Sequence, residues 1–227
     1  MIMIKKNIAI KNSFKFWQKH NSEKGFPEKY PEEEVVRFLS MFKKKNIKIL
    51  DLASGSGKNT FAAIDKGFKV YCVDYSKSGL DLTLKKVKKK NNCNIYCLDI
   101  TKNKLPFTNN FFDGIIATQV LDHVFKEDVE FIISEMKRVL KKNGKSLLNL
   151  MSSKTTKKSR LGDKIKNENN TYLTNHGNSA GEIHSLFHER EMEKLFKNFK
   201  IFNSMRVSIS NDFSKEKTVF KYFYLTH

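Results

Sequence analysis

The chain has 227 residues, 39% apolar and 30% charged, which bounds it to one domain with a sizeable core and excludes a disordered or fibrous protein. No run approaches the ~18–20 apolar residues of a membrane span, and Lys5, Lys6 and Lys11 break the apolar N-terminal patch too early for a secretory leader. The formal charge of +19 comes from lysines spread along the whole chain, with arginine scarce, which argues for a general lysine preference over a nucleic-acid surface.

Residues 1–30 are polar with aromatic interruptions at Phe14, Phe16, Trp17, Phe26 and Tyr30, and show no firm period. Pro31 opens a helix with Glu32, Glu33 and Glu34 in its first turn and Lys43, Lys44 and Lys45 in its last, matching the macrodipole at both ends. Strands and helices then alternate. Strands are expected at 47–52, 69–73, 94–98, 113–118 and 145–150, the last after a turn at Asn143-Gly144. Helices are expected at 58–66, 78–90 and 128–141. Such alternation implies a doubly wound, mostly parallel α/β sheet.

Residues 152–182 break the pattern, being rich in Ser, Thr, Asn and Lys. A segment of that kind inside a domain is functional or mobile, and is expected here to order on substrate binding. A helix around Met192–Phe199 follows, then two strand-like runs, 201–209 and 218–225, close enough to pair antiparallel. The lysine run at 85–90 lies at a helix C-terminus, where positive charge is favourable without any partner.

The chemistry concentrates in "ILDLASGSGKNT" at 49–60 and "KVYCVD" ending at Asp74. Small residues between a strand and a helix let a ligand lie against bare backbone, and an acid at the tip of the next strand can hold a ribose through its two hydroxyls. A nucleoside-containing cofactor is therefore expected. The loop departs from the dinucleotide fingerprint, because Gly55 and Gly57 are followed by Asn59 and Thr60 instead of a third glycine. Asp51, ahead of the loop, would repel a pyrophosphate and suits a ligand that carries an ammonium. Cys72, Cys93 and Cys97 fit no zinc spacing and give no even disulfide set, so no metal is expected and a reducing, cytoplasmic setting follows.

From about Glu32 to Leu150 the sequence resembles the class I S-adenosylmethionine-dependent methyltransferases, most of all the branch that methylates small molecules and quinone precursors. "DLASGSG" at 51–57 matches that family's cofactor loop, with Ala53 where the family usually has glycine. "VYCVDYS" at 70–76, "IYCLDITKNKLPF" at 95–107, "FFDGIIATQVLDHV" at 111–124 and "RVLKKNGKSLLNL" at 138–150 match its later motifs in order.

The resemblance implies a Rossmann-like, mostly parallel seven-stranded sheet with an antiparallel last strand. It implies S-adenosyl-L-methionine as cofactor, with S-adenosyl-L-homocysteine as product. Cofactor contacts would come from Asp51, Ala53, Ser54, Gly55, Gly57, Asn59 and Thr60 in and after the loop. Asp74, Tyr75 and Ser76 would serve the ribose, Asp99 the adenine amino group with Ile100 beside the ring, and Thr118 and Gln119 the methyl end. One domain, 1–227, is expected: an N-terminal helical lid to residue 45, a cofactor core at 46–150, a substrate insertion at 151–188 and a C-terminal helix with a strand pair.

The expected reaction is in-line displacement to O, N or C of a small-molecule acceptor. His123, His184 and His188 are candidate bases, His123 foremost, with Asp122 a weaker candidate beside it, and Trp17, Tyr30, His123, His184 and His188 are candidate acceptor contacts. Alternatives are an RNA-modifying methyltransferase and a non-catalytic cofactor-binding protein. The default assembly is a monomer or weak homodimer, with no membrane partner.

Overall fold

In the computed structural model, residues 3–22, 30–44, 46–87, 92–156, 161–175, 177–210 and 216–227 are described. Phe26, Lys45 and the expected helix end at Lys88–Lys90 lie outside them. In chain order the elements are β1 (Met3–Ile4), α1 (Lys6–His20), α2 (Glu33–Ser40), β2 (Lys48–Leu52), α3 (Lys58–Asp65), β3 (Lys69–Asp74), α4 (Lys77–Val87) and β4 (Cys93–Cys97). Then come β5 (Phe112–Ala117), α5 (Lys126–Val139), β6 (Leu140–Met151), β7 (Asp163–Ile165), β8 (Thr171–Leu173), β9 (Ile183–Ser185), α6 (Glu189–Leu195), β10 (Lys200–Ile209) and β11 (Thr218–Thr226).

The main sheet has seven strands in the order β10-β11-β6-β5-β2-β3-β4. Neighbours from β6 to β4 pair parallel, and β11 runs against both β6 and β10. This is the expected Rossmann-like, mostly parallel sheet with a reversed last strand. Its inner strands β2, β3 and β5 are almost wholly buried, because helices cover both faces there. Leu50, Leu52, Ile115, Leu148 and Phe223 face one apolar cluster with α5, while Ile49, Val70, Ile116 and Leu147 face a second with α2 and α3.

The chain goes outward from β2 through β3 to β4 and then crosses back to β5 on the other side of β2. The C-terminal ends of β2 and β5 therefore flank a topological switch point, where open α/β sheets leave a crevice for a ligand. Both lead into the segments that the sequence marks as chemical.

Three features differ from the sequence expectation, the first being that α2 ends at Ser40, so Lys43 and Lys44 lie beyond it and Arg37 stands in its last turn. β6 begins at Leu140, ahead of Asn143-Gly144, because its pairing with β5 shifts register between Phe112 and Gly114 and absorbs the extra residues as an irregularity. The insertion holds secondary structure of its own: β1, β7, β8 and β9 form a second sheet, with Met3 paired to Lys164 and Tyr172 to His184. A small core of Ala9, Phe125, Ile165, Leu173 and Ile183 fastens α1 to that sheet. No helix among the described residues is long and apolar enough to cross a membrane.

Candidate functional site

The turn after β2 has an unusual backbone. Ala53, Gly55 and Gly57 all have positive φ, at 55°, 53° and 89°. Gly57 is the residue that needs glycine most: an added Cβ would lie 2.7 Å from Thr83 Oγ1, besides the cost of its left-handed conformation. Ala53 adopts the same region with a side chain, a strain of the kind found at ligand sites.

This loop forms one wall of a cavity of about 360 Å³. Asp74 and Tyr75 from the end of β3, Asp99 and Ile100 after β4, and Thr118 and Gln119 after β5 also line it. The roof is not part of the sheet. Trp17, His20 and Asn21 at the end of α1 lie over the opening, with Ser179 and Glu182 from the insertion.

Asp74 is buried and organises the loop. Its Oδ2 accepts the Gly55 N–H at 2.7 Å and its Oδ1 the Ser76 N–H at 2.6 Å. Burial raises its pKa to about 6, against the pull of those backbone bonds. Asp51 lies behind the loop and not on the cavity wall, with Oδ2 accepting the Thr60 hydroxyl at 2.6 Å. Its burial raises the pKa to about 7, and nearby Asp74 adds to the rise. Asp99 differs: burial would raise it, but bonds from Lys102 and Thr101 outweigh that and hold it below the usual carboxylate range.

Two cavity-lining residues carry buried polar atoms with no hydrogen-bond partner among the described residues, Ser54 Oγ and Asn59 Oδ1. Asn59 Nδ2 donates to Thr118 Oγ1 at 3.3 Å, which fixes its oxygen on the far side of the amide. Orphaned polar groups of this kind cost free energy unless a ligand or water meets them, so these residues fit a polar ligand over the glycine turn.

At the other end, Gln119 (φ 55°) donates its backbone N–H to Asn149 Oδ1 at 2.6 Å and its side-chain amide to Glu32. Glu32 also receives the Tyr222 hydroxyl at 2.8 Å and lies 3.7 Å from Lys58 Nζ. His123 lies under α1, its ring 4.9 Å from Trp17 and edge-on to it. His123 Nδ1 is 2.9 Å from the Ile183 carbonyl oxygen, so that nitrogen carries the hydrogen and Nε2 keeps its lone pair.

The structure thus brings Trp17, Ala53, Ser54, Gly55, Asn59, Asp74, Tyr75, Asp99, Ile100, Thr118, Gln119 and His123 to one cavity. Thr60 and Ser76 support that wall from behind through Asp51 and Asp74. Tyr30 is 82% exposed and lies off the cavity wall. His188 is the residue ahead of α6, bonded to Ser153 and Asn170 through its ring. His184 is buried next to His123, their ring centroids 5.1 Å apart. Sequence reasoning missed His20, Asn21, Lys58 and Glu182. Lys58, beside the loop, was the one in view, whereas the others depend on long-range placement.

Residues 50–148 match the family described as "Methyltransferase domain". Over 108 residues, 44% of this chain, the sequence is 29% identical to a tRNA N(3)-cytidine methyltransferase of Gallus gallus, covering 29% of that protein. It is 32% identical over 103 residues to a ubiquinone biosynthesis O-methyltransferase of Pelagibacter ubique, covering 44% of this chain and 40% of the relative. The chain therefore spans less than half the length of either relative. Among solved structures, a 1,6-didemethyltoxoflavin-N1-methyltransferase of Burkholderia thailandensis, with its didemethyltoxoflavin and S-adenosylhomocysteine bound, superposes with a TM-score of 0.70 at 13% identity, over 100% of this chain and 92% of that one. With its seven-stranded sheet and its glycine turn in their expected places, the chain has the fold of the class I S-adenosylmethionine-dependent methyltransferases, and the family match covers less than half of it.

Proposed function

We propose that this protein moves a methyl group from S-adenosylmethionine to a small-molecule acceptor held in the same cavity. The observation that carries the reading is the convergence of the glycine turn, Asp74, Asp99 and Thr118-Gln119 on one cavity roofed by α1. When bound, the cofactor supplies a methyl carbon already activated by a positive sulfur.

The residues of the chain would do the rest. Asp74 presents carboxylate lone pairs to the ribose hydroxyls, and Asp99 with Ile100 takes the adenine. Ser54 and Asn59 offer their orphaned oxygens to the amino-acid end, and Asp51 contributes its charge from the second layer. Trp17 and the end of α1 exclude water and hold the acceptor, and positioning of that kind supplies about 7–11 kcal/mol of such a barrier. His123, with Nδ1 held by Ile183, offers Nε2 to an acceptor proton, a contribution of roughly 10²–10⁴-fold.

A cavity enclosed by a helix favours a small acceptor over a polymer. The quinone-pathway relative and the toxoflavin-precursor neighbour point the same way. Three free cysteines support a reducing, cytoplasmic setting. One second reading has support of its own, RNA methylation, because a tRNA-modifying relative matches the core and the net charge is +19.

The test is transfer of labelled methyl from S-adenosylmethionine to a small-molecule extract and to total RNA in parallel. Label in the organic-soluble fraction supports the small-acceptor reading. Label confined to RNA would replace it, and no transfer together with S-adenosylhomocysteine binding would leave a non-catalytic binder.

A further inference from the structure

We propose that Asp122, His123 and His184 form a binding site for one divalent transition-metal ion at the acceptor end of the cavity. Asp122 and His123 follow β5, and His184 lies in β9. The strand pairing of the small sheet, together with a bond from the Ser185 N–H to the Asp122 carbonyl at 2.8 Å, brings them together. One ligand atom from each lies within 4.8 Å of the others.

The cluster is not satisfied by the protein around it. Asp122 and His184 are both 0% exposed. Neither carboxylate oxygen of Asp122 and neither ring nitrogen of His184 has a hydrogen-bond partner among the described residues. A buried carboxylate without a donor is costly in its charged form, and a cation among the three side chains would meet that cost.

The imidazoles are set for an ion instead of a proton alone. The Ile183 carbonyl takes the Nδ1 hydrogen of His123 at 2.9 Å, which leaves Nε2 as the lone-pair atom, 3.7 Å from Asp122 Oδ2. Such an outer-sphere carbonyl bond is what orients a metal-binding histidine. His184 Nε2 lies 3.0 Å from Glu182 Oε2, outside hydrogen-bond geometry, which puts a second carboxylate within reach.

Two imidazoles and a carboxylate suit zinc, iron(II), cobalt(II) or manganese(II), whereas magnesium and calcium prefer shells of oxygen. A zinc tetrahedron with bonds of ~2.0–2.2 Å has edges of about 3.3–3.6 Å, so binding draws the three side chains inward.

His123 and Glu182 line the cavity, so the ion would face the acceptor and favour one with an oxygen donor. That clause alone rests on the methyl-transfer reading: with its Nε2 lone pair on the ion, His123 would no longer take the acceptor proton, and the ion would instead act as a Lewis acid that lets a bound acceptor hydroxyl lose its proton to solvent.

Untagged, chelator-stripped protein is titrated with zinc and with cobalt(II), without cofactor or acceptor, so that failure here leaves the methyl-transfer reading untouched. We expect one ion per chain and visible cobalt bands, with affinity lowered more than about 100-fold in Asp122→Asn and His184→Gln, since even outer-sphere changes cost 10–100-fold. In nitrogen-15 histidine spectra of the unmodified chain, zinc should move the ring signals of His123 and His184. That measurement decides the matter if a variant does not fold. Absence of stoichiometric binding, retention of affinity in folded Asp122→Asn, or zinc-induced shifts confined to other histidines overturns the proposal.

Discussion

Replacing Asp74 by Asn keeps the volume and removes the charge. Its two oxygens accept the N–H groups of Gly55 and Ser76 at 2.7 and 2.6 Å. An amide has one acceptor oxygen, so one of those donors would face an NH₂ group. Leaving a buried donor unmet costs about 1–3 kcal/mol. Burial of the carboxyl, which raises its pKa to about 6, offsets part of this, because the neutral amide carries less desolvation cost. A loss of about 1 kcal/mol in unfolding free energy is therefore expected without ligand. The effect on binding is separate. Hydrogen bonds from the ribose to a charged acceptor contribute ~1.5–3 kcal/mol, a factor of about 10–150 in Kd for S-adenosylhomocysteine. Calorimetry near pH 8, where Asp74 is ionised, reads the affinity, and urea unfolding followed by emission of Trp17, the one tryptophan, reads the fold. A folded Asp74→Asn protein that binds S-adenosylhomocysteine within about twofold of the unmodified chain would refute the ribose assignment.

Gly79→Ala tests the packing under the glycine turn: an added Cβ would lie 2.7 Å from the Gly55 carbonyl oxygen and 3.0 Å from Asn21 Cβ. Ala should otherwise stabilise a helix by about 1 kcal/mol relative to Gly, but overpacking costs ~1–3 kcal/mol, so a lower melting temperature is expected and a higher one would contradict the contact. The pH dependence follows from Asp51 and Asp74, raised to about 7 and about 6. Their folded pKa values exceed the unfolded ones, so the folded state holds more protons, and stability should fall as pH rises from about 4 to about 7. A ligand that prefers the ionised carboxyls should bind more tightly over the upper part of that range. Calorimetric affinity for S-adenosylhomocysteine that stays flat from about pH 5 to 8 would contradict this linkage.

The central sheet was legible because its signals are local. β2 and β3 are short, mostly apolar runs with an acid next to or at their ends, Asp51 and Asp74, and Gly67 follows α3 with φ 81°. A loop, a strand tip and their order along the chain suffice to place Asp74, Asp99 and Gln119 on one edge. Parallel pairing then does the assembly. The N-terminal helix was not legible, because α1 buries only Ala9 and Ser13 and leaves Phe14 half exposed, so its apolar residues make no stripe. β7, β8 and β9 are three residues each, with Asp, Lys, Thr, His and Ser among them, too short to show a period and defined only by their pairing. His184 shows the same limit. As a sequence residue it is one of several histidines near a helix start, and its position against Asp122 depends on a sheet that no local period announces.

The roof and the walls of the cavity are held by different forces. The walls are strand ends rooted in two apolar clusters, and moving them would expose residues such as Leu50, Ile115 and Ile116, all fully buried. The end of α1 is tied down mainly by polar bonds: Ser76 Oγ to the Trp17 carbonyl at 3.3 Å, Ser78 Oγ to the Gln18 carbonyl at 2.6 Å, and Gln18 Nε2 to the Tyr75 carbonyl at 3.2 Å. Each such bond exchanges for one with water at a net cost of about 0.5–1.5 kcal/mol, so lifting that end costs a few kcal/mol, far less than opening the sheet. The other end of α1 stays fastened through Ala9 and through Lys6, paired with Glu127 and Glu168. Two of those bonds run to Ser76 and Tyr75, beside Asp74, so a ligand that displaces Trp17 also loosens the segment that carries Asp74. On the proposed reading, two of these hydrogen bonds couple lifting of the end of α1 to the segment beside Asp74.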